Sequence, residues 1–197
     1  VDQKFYIIQE TEKDKILAGM LKSNEVGRAI IFANRRDTTR DLAARLNRMG
    51  LNAMLLSGEV AQNKRTATLE RFKRLDKSIL VATDVAGRGI HVDGVSHVFN
   101  YNLPDDPEDY VHRIGRTGRA GASGHAISLA CEQYVFNLPA IETYIEHALP
   151  VTKYDHDALL DDLPRPKPRQ RRHRPNTGRS GSRQSGNRSN NIYRGRR

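Results

Sequence analysis

The residues with the most chemistry in them lie between Tyr110 and Gly124, in the run YVHRIGRTGRAGASG. Arg113, Arg116 and Arg119 recur every third residue, with Gly115, Gly118, Gly121 and Gly124 set among them. A guanidinium is permanently charged, planar and forked, so it matches phosphate oxygens better than an ammonium does. Glycine beside it lets the backbone turn tightly and approach a ligand closely. The run suits phosphate held at a helix-to-loop junction. A solvated basic turn has the same composition, and the run alone does not separate the two.

Two other stretches carry matching chemistry. Residues 79–92 read ILVATDVAGRGIHV. An apolar strand delivers Thr83 and Asp84 to a loop that continues as Gly87-Arg88-Gly89. A hydroxyl and a carboxylate there can bond a ribose or orient an arginine. The plainer alternative is a strand-to-helix turn with Asp84 as its cap. Residues 57–65 read SGEVAQNKR. Gln62 and Arg65, three apart at a helix start, share a face. Free backbone N–H groups at such a start favour an anion, and Gly58 leaves room for one. A solvated, charged helix face is the alternative.

The elements that must position these residues follow from apolar spacing. Strands are expected at residues 4–9, 29–33, 52–56, 78–82, 95–100 and 125–130. The run at 29–33 is apolar throughout, as in a strand buried on both faces. A first helix opens at Thr11 and Asp14 and turns Ile16, Leu17, Met20 and Leu21 inward. A second is capped by Asp37, packs Leu42, Ala43, Leu46 and Met49, and ends at Gly50. A third spans 61–75, with Leu69, Phe72 and Leu75 inward and Lys64, Arg65, Arg71 and Arg74 outward. Proline opens a helix at 107–114. Another covers 132–147, interrupted before Pro139. Strand and helix alternate, so the class is α/β with a mostly parallel sheet and right-handed crossovers. Ligands of such sheets sit beyond the carboxyl ends of the strands. That rule selects residues 34–36, 57–65 and 83–90.

The charge is unevenly placed. Residues 165–197 hold eleven Arg, one Lys and no acid, a charge of +12. The whole chain carries +10, so residues 1–164 carry about 10 − 12 = −2. After a proline-punctuated exit, Arg, Gly, Ser, Asn and Gln dominate. Such a segment buries too little to offset its ordering entropy, so it is expected to be disordered when free. The expected division is a domain at 1–157 and a basic tail at 158–197. Cys131 is the single cysteine, which excludes an internal disulfide and a Cys-rich metal site and suits a reducing, cytoplasmic setting. No apolar run approaches the roughly 20 residues that span a bilayer. The chain opens on Val1 rather than Met, as expected of a fragment or a processed product.

Together, in this order, the three stretches resemble the second RecA-like domain of the DEAD-box RNA helicases. ATDVAGRGI is similar to motif V of that family and YVHRIGRTGRAG to motif VI. IIFAN with SGEVAQNKR resembles motif IV and its Gln-x-x-Arg extension. The run from FNYNLPDDPEDY through NLPAIETYI, with its Arg-rich tail, resembles the bacterial degradosome helicases in particular. The resemblance implies ATP as cofactor, with Mg²⁺ held by a first RecA-like domain that this sequence lacks. It implies Arg116 and Arg119 as arginine fingers on the γ-phosphate, and His112 and Arg113 as contacts across the cleft. It implies an ATP contact at His91, where the family usually has Asp. It places RNA on Gly58, Gln62, Arg65, Thr83, Asp84 and Arg88. Gly87 replaces a more usual Ala or Ser, which is expected to loosen its turn. The implied partners are RNA, the first domain and ribonuclease E, with no membrane. The implied activity, unwinding structured RNA for degradation, needs both domains, so this chain alone is expected to turn over almost no ATP. A stand-alone RNA-binding and ribonuclease-docking module is the alternative.

Overall fold

Side chains of one strand, β2 (Arg28–Phe32), divide between two cores. Ala29 and Ile31 pack with Leu17, Leu21, Leu42 and Leu46. Ile30 and Phe32 pack with Phe72, Leu80 and Val98 on the opposite face. Successive strand residues point to opposite faces, so a strand covered on both sides must be apolar at every position. This is why residues 29–33 show no alternation in sequence.

The computed structural model describes residues 1–58, 61–119 and 121–152. Around β2 run β1 (Asp2–Ile7), α1 (Lys13–Lys22), α2 (Arg36–Arg48), β3 (Ala53–Leu56) and α3 (Gln62–Arg74). They are followed by β4 (Ser78–Ala82), α4 (Asp84–Gly87), β5 (Val95–Asn100), α5 (Pro107–Ile114) and β6 (His125–Ala130). A 3₁₀ turn at Val135–Asn137 leads into α6 (Leu138–Ile145). The sheet order is β1-β6-β5-β2-β4-β3, and every neighbouring pair is parallel. Helices α1 and α2 cover one face. On the other, α3 and α4 lie over the β3 side, and α5 and α6 cover Phe5 and Ala130. Among the described residues no helix is long and apolar enough to cross a membrane.

Several boundaries differ from the sequence expectation, each for a local reason. Thr11 precedes α1, whose N-cap is Glu12 with no side-chain cap bond. Asp37 lies inside the first turn of α2, where its charge still complements the helix dipole, and Arg35 is the N-cap. Leu75 is 38% exposed. It is the C-cap of α3, where the chain turns extended and its side chain leaves the helix's inner row. The last helix is broken ahead of Pro139, as proline's missing N–H dictates, and its first part is 3₁₀. The domain boundary at 157 and the tail at 158–197 lie outside the described residues.

One buried cation went unforeseen. Lys13 is fully buried. Its Nζ sits 3.3 Å from Glu10 Oε2, 3.8 Å from Cys131 Sγ and 4.5 Å from the centre of the Tyr101 ring. The carboxylate and the ring face offset the cost of taking its charge out of water.

Candidate functional site

Helix α5 is built to end where the arginines begin. Asp106 caps it by accepting from Glu108 N at 2.9 Å, and Pro107 opens the first turn. Glu108 and Asp109 stand near its amino end, with His112 and Arg113 in the last turn. Both placements complement the helix dipole. The glycine loop that follows is pinned by buried Thr117, whose hydroxyl donates to the Val95 carbonyl at 2.5 Å. The loop then folds onto itself. Gly118 has φ +66°, and a Cβ on Gly124 would lie 2.3 Å from Gly118 N. Glycine is required at both positions for those reasons.

Arg113 is only 1% exposed, and its guanidinium is committed inside the domain. Its Nε donates to Asp84 Oδ1 at 2.5 Å and Nη2 to Asp84 Oδ2 at 2.7 Å. Nη2 also donates to Asn34 Oδ1 at 2.9 Å, and Nη1 to the Asn102 carbonyl at 2.7 Å. A longer bond reaches Asn100 Oδ1 at 3.4 Å, and the cation lies 5.5 Å from the centre of the Phe32 ring. This corrects the expectation that Arg113 crosses to another domain. It ties the end of α5 to the carboxyl ends of β2, β4 and β5. Asp84 is the carboxylate that orients an arginine. The cap of α4 is Thr83, which accepts from Ala86 N at 3.4 Å.

Gly87 also differs from its expectation. A Cβ there would stand 2.5 Å from Phe32 Cε1. The turn is tight rather than loose, because the helix approaches the ring that underlies Arg113.

Arg116 and Arg119 share another geometry. Each Nε donates to the carbonyl four residues back, Arg116 to His112 O at 3.2 Å and Arg119 to Gly115 O at 2.9 Å. Arg116 Nη1 also donates to Ile90 O at 3.0 Å. Burial, and then the charge of Arg119, hold the Arg116 guanidinium below its ordinary pKa. Among the described residues neither arginine pairs with a carboxylate. Two neighbouring cations without a counter-charge favour an incoming anion. Guanidinium groups in that setting suit phosphate or carboxylate oxygens. The recess between Arg113 and Arg116 measures only about 10 Å³, so a ligand must meet these side chains from outside. His91 is exposed and follows the carbonyl that holds Arg116. His112 is exposed as well, with Nε2 3.6 Å from Glu108 Oε1.

Beside this lies a groove of about 390 Å³ lined by Asn34, Arg36, Gly58, Thr83 and Val85. Its walls come from all three stretches selected by the carboxyl-end rule. Nothing lies within 4 Å of a Cβ placed on Gly58, so that position opens to a ligand. Gln62 is exposed at the first residue of α3. Arg65, one turn on, donates from Nη2 to Arg88 O at 3.3 Å and so braces the loop after α4. Arg88 is two-thirds exposed, and its Nη2 lies 3.4 Å from Asp109 Oδ1. Sequence reasoning missed Val85, 72% exposed on the groove wall, and the Asn100 and Asn102 contacts to Arg113. Two asparagines in FNYN at the end of a buried strand were the available signal. Among the described residues no three His, Cys, Asp or Glu side chains gather as a metal site.

A family model described as the helicase conserved C-terminal domain matches residues 12–121. The chain belongs to that family. Within it, the chain is a DEAD-box RNA helicase C-terminal domain close to RhlB. It is 57% identical to the ATP-dependent RNA helicase RhlB of Cronobacter sakazakii over 94% of its length, and spans 43% of that relative. The E. coli DEAD-box protein SrmB, solved bound to regulator of ribonuclease activity A, is 37% identical with a TM-score of 0.73. That match covers 85% of this chain and 98% of SrmB's. The S. cerevisiae protein Dbp5, bound to RNA and ADP BeF3, is 31% identical with a TM-score of 0.70, covering 78% of this chain and 41% of its own. The RecA-like sheet inferred from the sequence is the one these DEAD-box structures share.

Proposed function

We propose that this helicase C-terminal domain is one half of an ATP-dependent RNA helicase, close in role to RhlB. Thr83 and Asp84 are adjacent, one on the groove wall and the other gripped by Arg113. The uncompensated pair Arg116 and Arg119 follows on the same helix-to-loop junction. That juxtaposition of an anion-seeking pair with an open groove carries the proposal.

In this account the groove holds the RNA backbone, with Gly58, Gln62, Arg65 and Thr83 at its sugar-phosphate. Single-stranded RNA offers exposed phosphates and 2′-hydroxyls for such contacts. Arg116 and Arg119 present charge to the γ-phosphate of ATP held, with Mg²⁺, on a first RecA-like domain. ATP supplies the phosphoryl group whose transfer drives the cycle, and these arginines orient it and neutralise its charge. Asp84 and Arg113 are positioning residues that fix α5. In the same reading the exposed His91 is a nucleotide contact and the exposed His112 a contact to the other domain. The arginine-rich tail adds sequence-independent backbone contacts, and the assembly served is an RNA-degrading one that includes ribonuclease E.

Mixing supplies the test. The purified chain is expected to turn over almost no ATP with RNA present. Joined to the first domain of a close relative, it is expected to restore RNA-stimulated turnover. Turnover by the isolated chain, or none in the joined protein, would refute the proposal.

A further inference from the structure

The last helix is apolar on both sides. Leu138, Ile141 and Ile145 face the core around Phe5 and Tyr110. On the outer side Phe136 is 80% exposed and Tyr144 54%, with Pro139 and Ala140 exposed between them. On α6, Ala140 and Tyr144 are one turn apart on the outer face, and Phe136 stands exposed in the 3₁₀ turn just ahead of them. A surface helix ordinarily buries one apolar stripe and wets the other side. An outward ridge with an aromatic group at each end is how a helix presents anchors to a partner's groove.

Charge indicates the partner. From residue 120 to residue 152 there is no Lys or Arg, while Glu132, Glu142 and Glu146 flank the ridge. Asn137 Nδ2 fastens its start to the Pro104 carbonyl and to Asp105 Oδ1, each at 3.0 Å, beside further acids at Asp106 and Glu108. This acidic strip sits in a chain of net charge +10. It repels RNA phosphate. Two copies docked about a two-fold axis would set one glutamate rim against the other. We propose that the outer face of α6 and the turn before it dock a segment of another protein that is apolar on one side and rich in Lys or Arg around it. None of its residues lines the groove or is Arg116 or Arg119, and the proposal does not depend on the nucleotide reading.

The test is isothermal titration of the full chain with two synthetic peptides of about 20 residues. Both carry leucine at helical spacing. One has lysine at the remaining positions and the other glutamate. The lysine peptide is expected to bind and the glutamate peptide not to. Phe136→Ser with Tyr144→Ser is expected to weaken binding about tenfold or more. Glu132→Gln with Glu146→Gln is expected to weaken it less and to flatten its salt dependence. Both side chains of the serine pair are exposed, so an unchanged melting temperature and unchanged RNA binding are expected. No binding of the lysine peptide, equal binding of both peptides, or binding indifferent to the serine pair would overturn the proposal. Loss of RNA affinity in the serine pair would overturn it too, by assigning the ridge to RNA.

Discussion

Arg113 grips Asp84 through two parallel bonds, Nε to Oδ1 at 2.5 Å and Nη2 to Oδ2 at 2.7 Å. The pair joins the last turn of α5 to the first residue of α4. Removing Asp84 leaves the buried Arg113 cation without its counter-charge, and removing Arg113 leaves a part-buried carboxylate and the amide acceptors of Asn34 and Asn102 without their donor. Asp84→Asn and Arg113→Met are each expected to cost about 3–5 kcal/mol of stability. Urea denaturation midpoints measure this. A loss below about 1 kcal/mol in both would mean the clamp is not the brace described here.

Gly87 and Gly58 make opposite predictions under the same substitution. Gly87→Ala forces a methyl to within 2.5 Å of the Phe32 ring, so it is expected to destabilise by about 1–3 kcal/mol. Gly58→Ala meets nothing within 4 Å and is expected to leave the melting temperature alone. If RNA backbone approaches that position, Gly58→Ala weakens RNA binding nonetheless. Equal thermal effects of the two substitutions would contradict the packing.

Much of this was legible beforehand because local chemistry and tertiary demand agree. The apolar run of β2, Pro107 at the start of α5, and the three stretches at the sheet's carboxyl edge were all readable. The destination of Arg113 was not. Spacing treats Arg113, Arg116 and Arg119 as equivalent, but α5 ends at Ile114 and leaves only Arg113 facing the sheet. Its partners Asn34, Asp84 and Asn102 come from three distant stretches that only the parallel sheet brings together. Leu75 kept helical spacing on paper, but the helix had already ended.

His97 predicts a pH dependence. It is buried, and its ring stacks on His125 with centroids 4.8 Å apart. Burial first, then His125 and Lys4, push its pKa below the ordinary 6.5, against the opposing pull of Glu25. Asp2 lies 3.3 Å from His125 on the same face. A base with a lowered folded-state pKa binds protons more readily when unfolded. Stability is therefore full above about pH 6.5 and falls as pH drops through the lower folded value. Thermal melts between pH 5 and pH 8 are expected to show that loss, and His97→Asn to reduce it. An unchanged pH profile in the variant would exclude His97 as the source.

Cutting the chain after Pro164 removes the +12 segment that follows. RNA affinity is expected to fall. The slope of log affinity against log salt should lessen by about 0.7 for each phosphate that the shortened chain no longer neutralises. Fluorescence anisotropy with a single-stranded RNA at several salt concentrations measures both. An unchanged slope would remove the tail from the RNA interface.

The central claim is that Arg116 and Arg119 act on a phosphate presented by another domain. Its most direct measurement is steady-state ATP turnover, with RNA bound, in a two-domain protein carrying Arg119→Lys. The account predicts a fall of about 10³–10⁵-fold with RNA affinity retained. Turnover within a few fold of the parent, or a loss confined to RNA affinity, would contradict it.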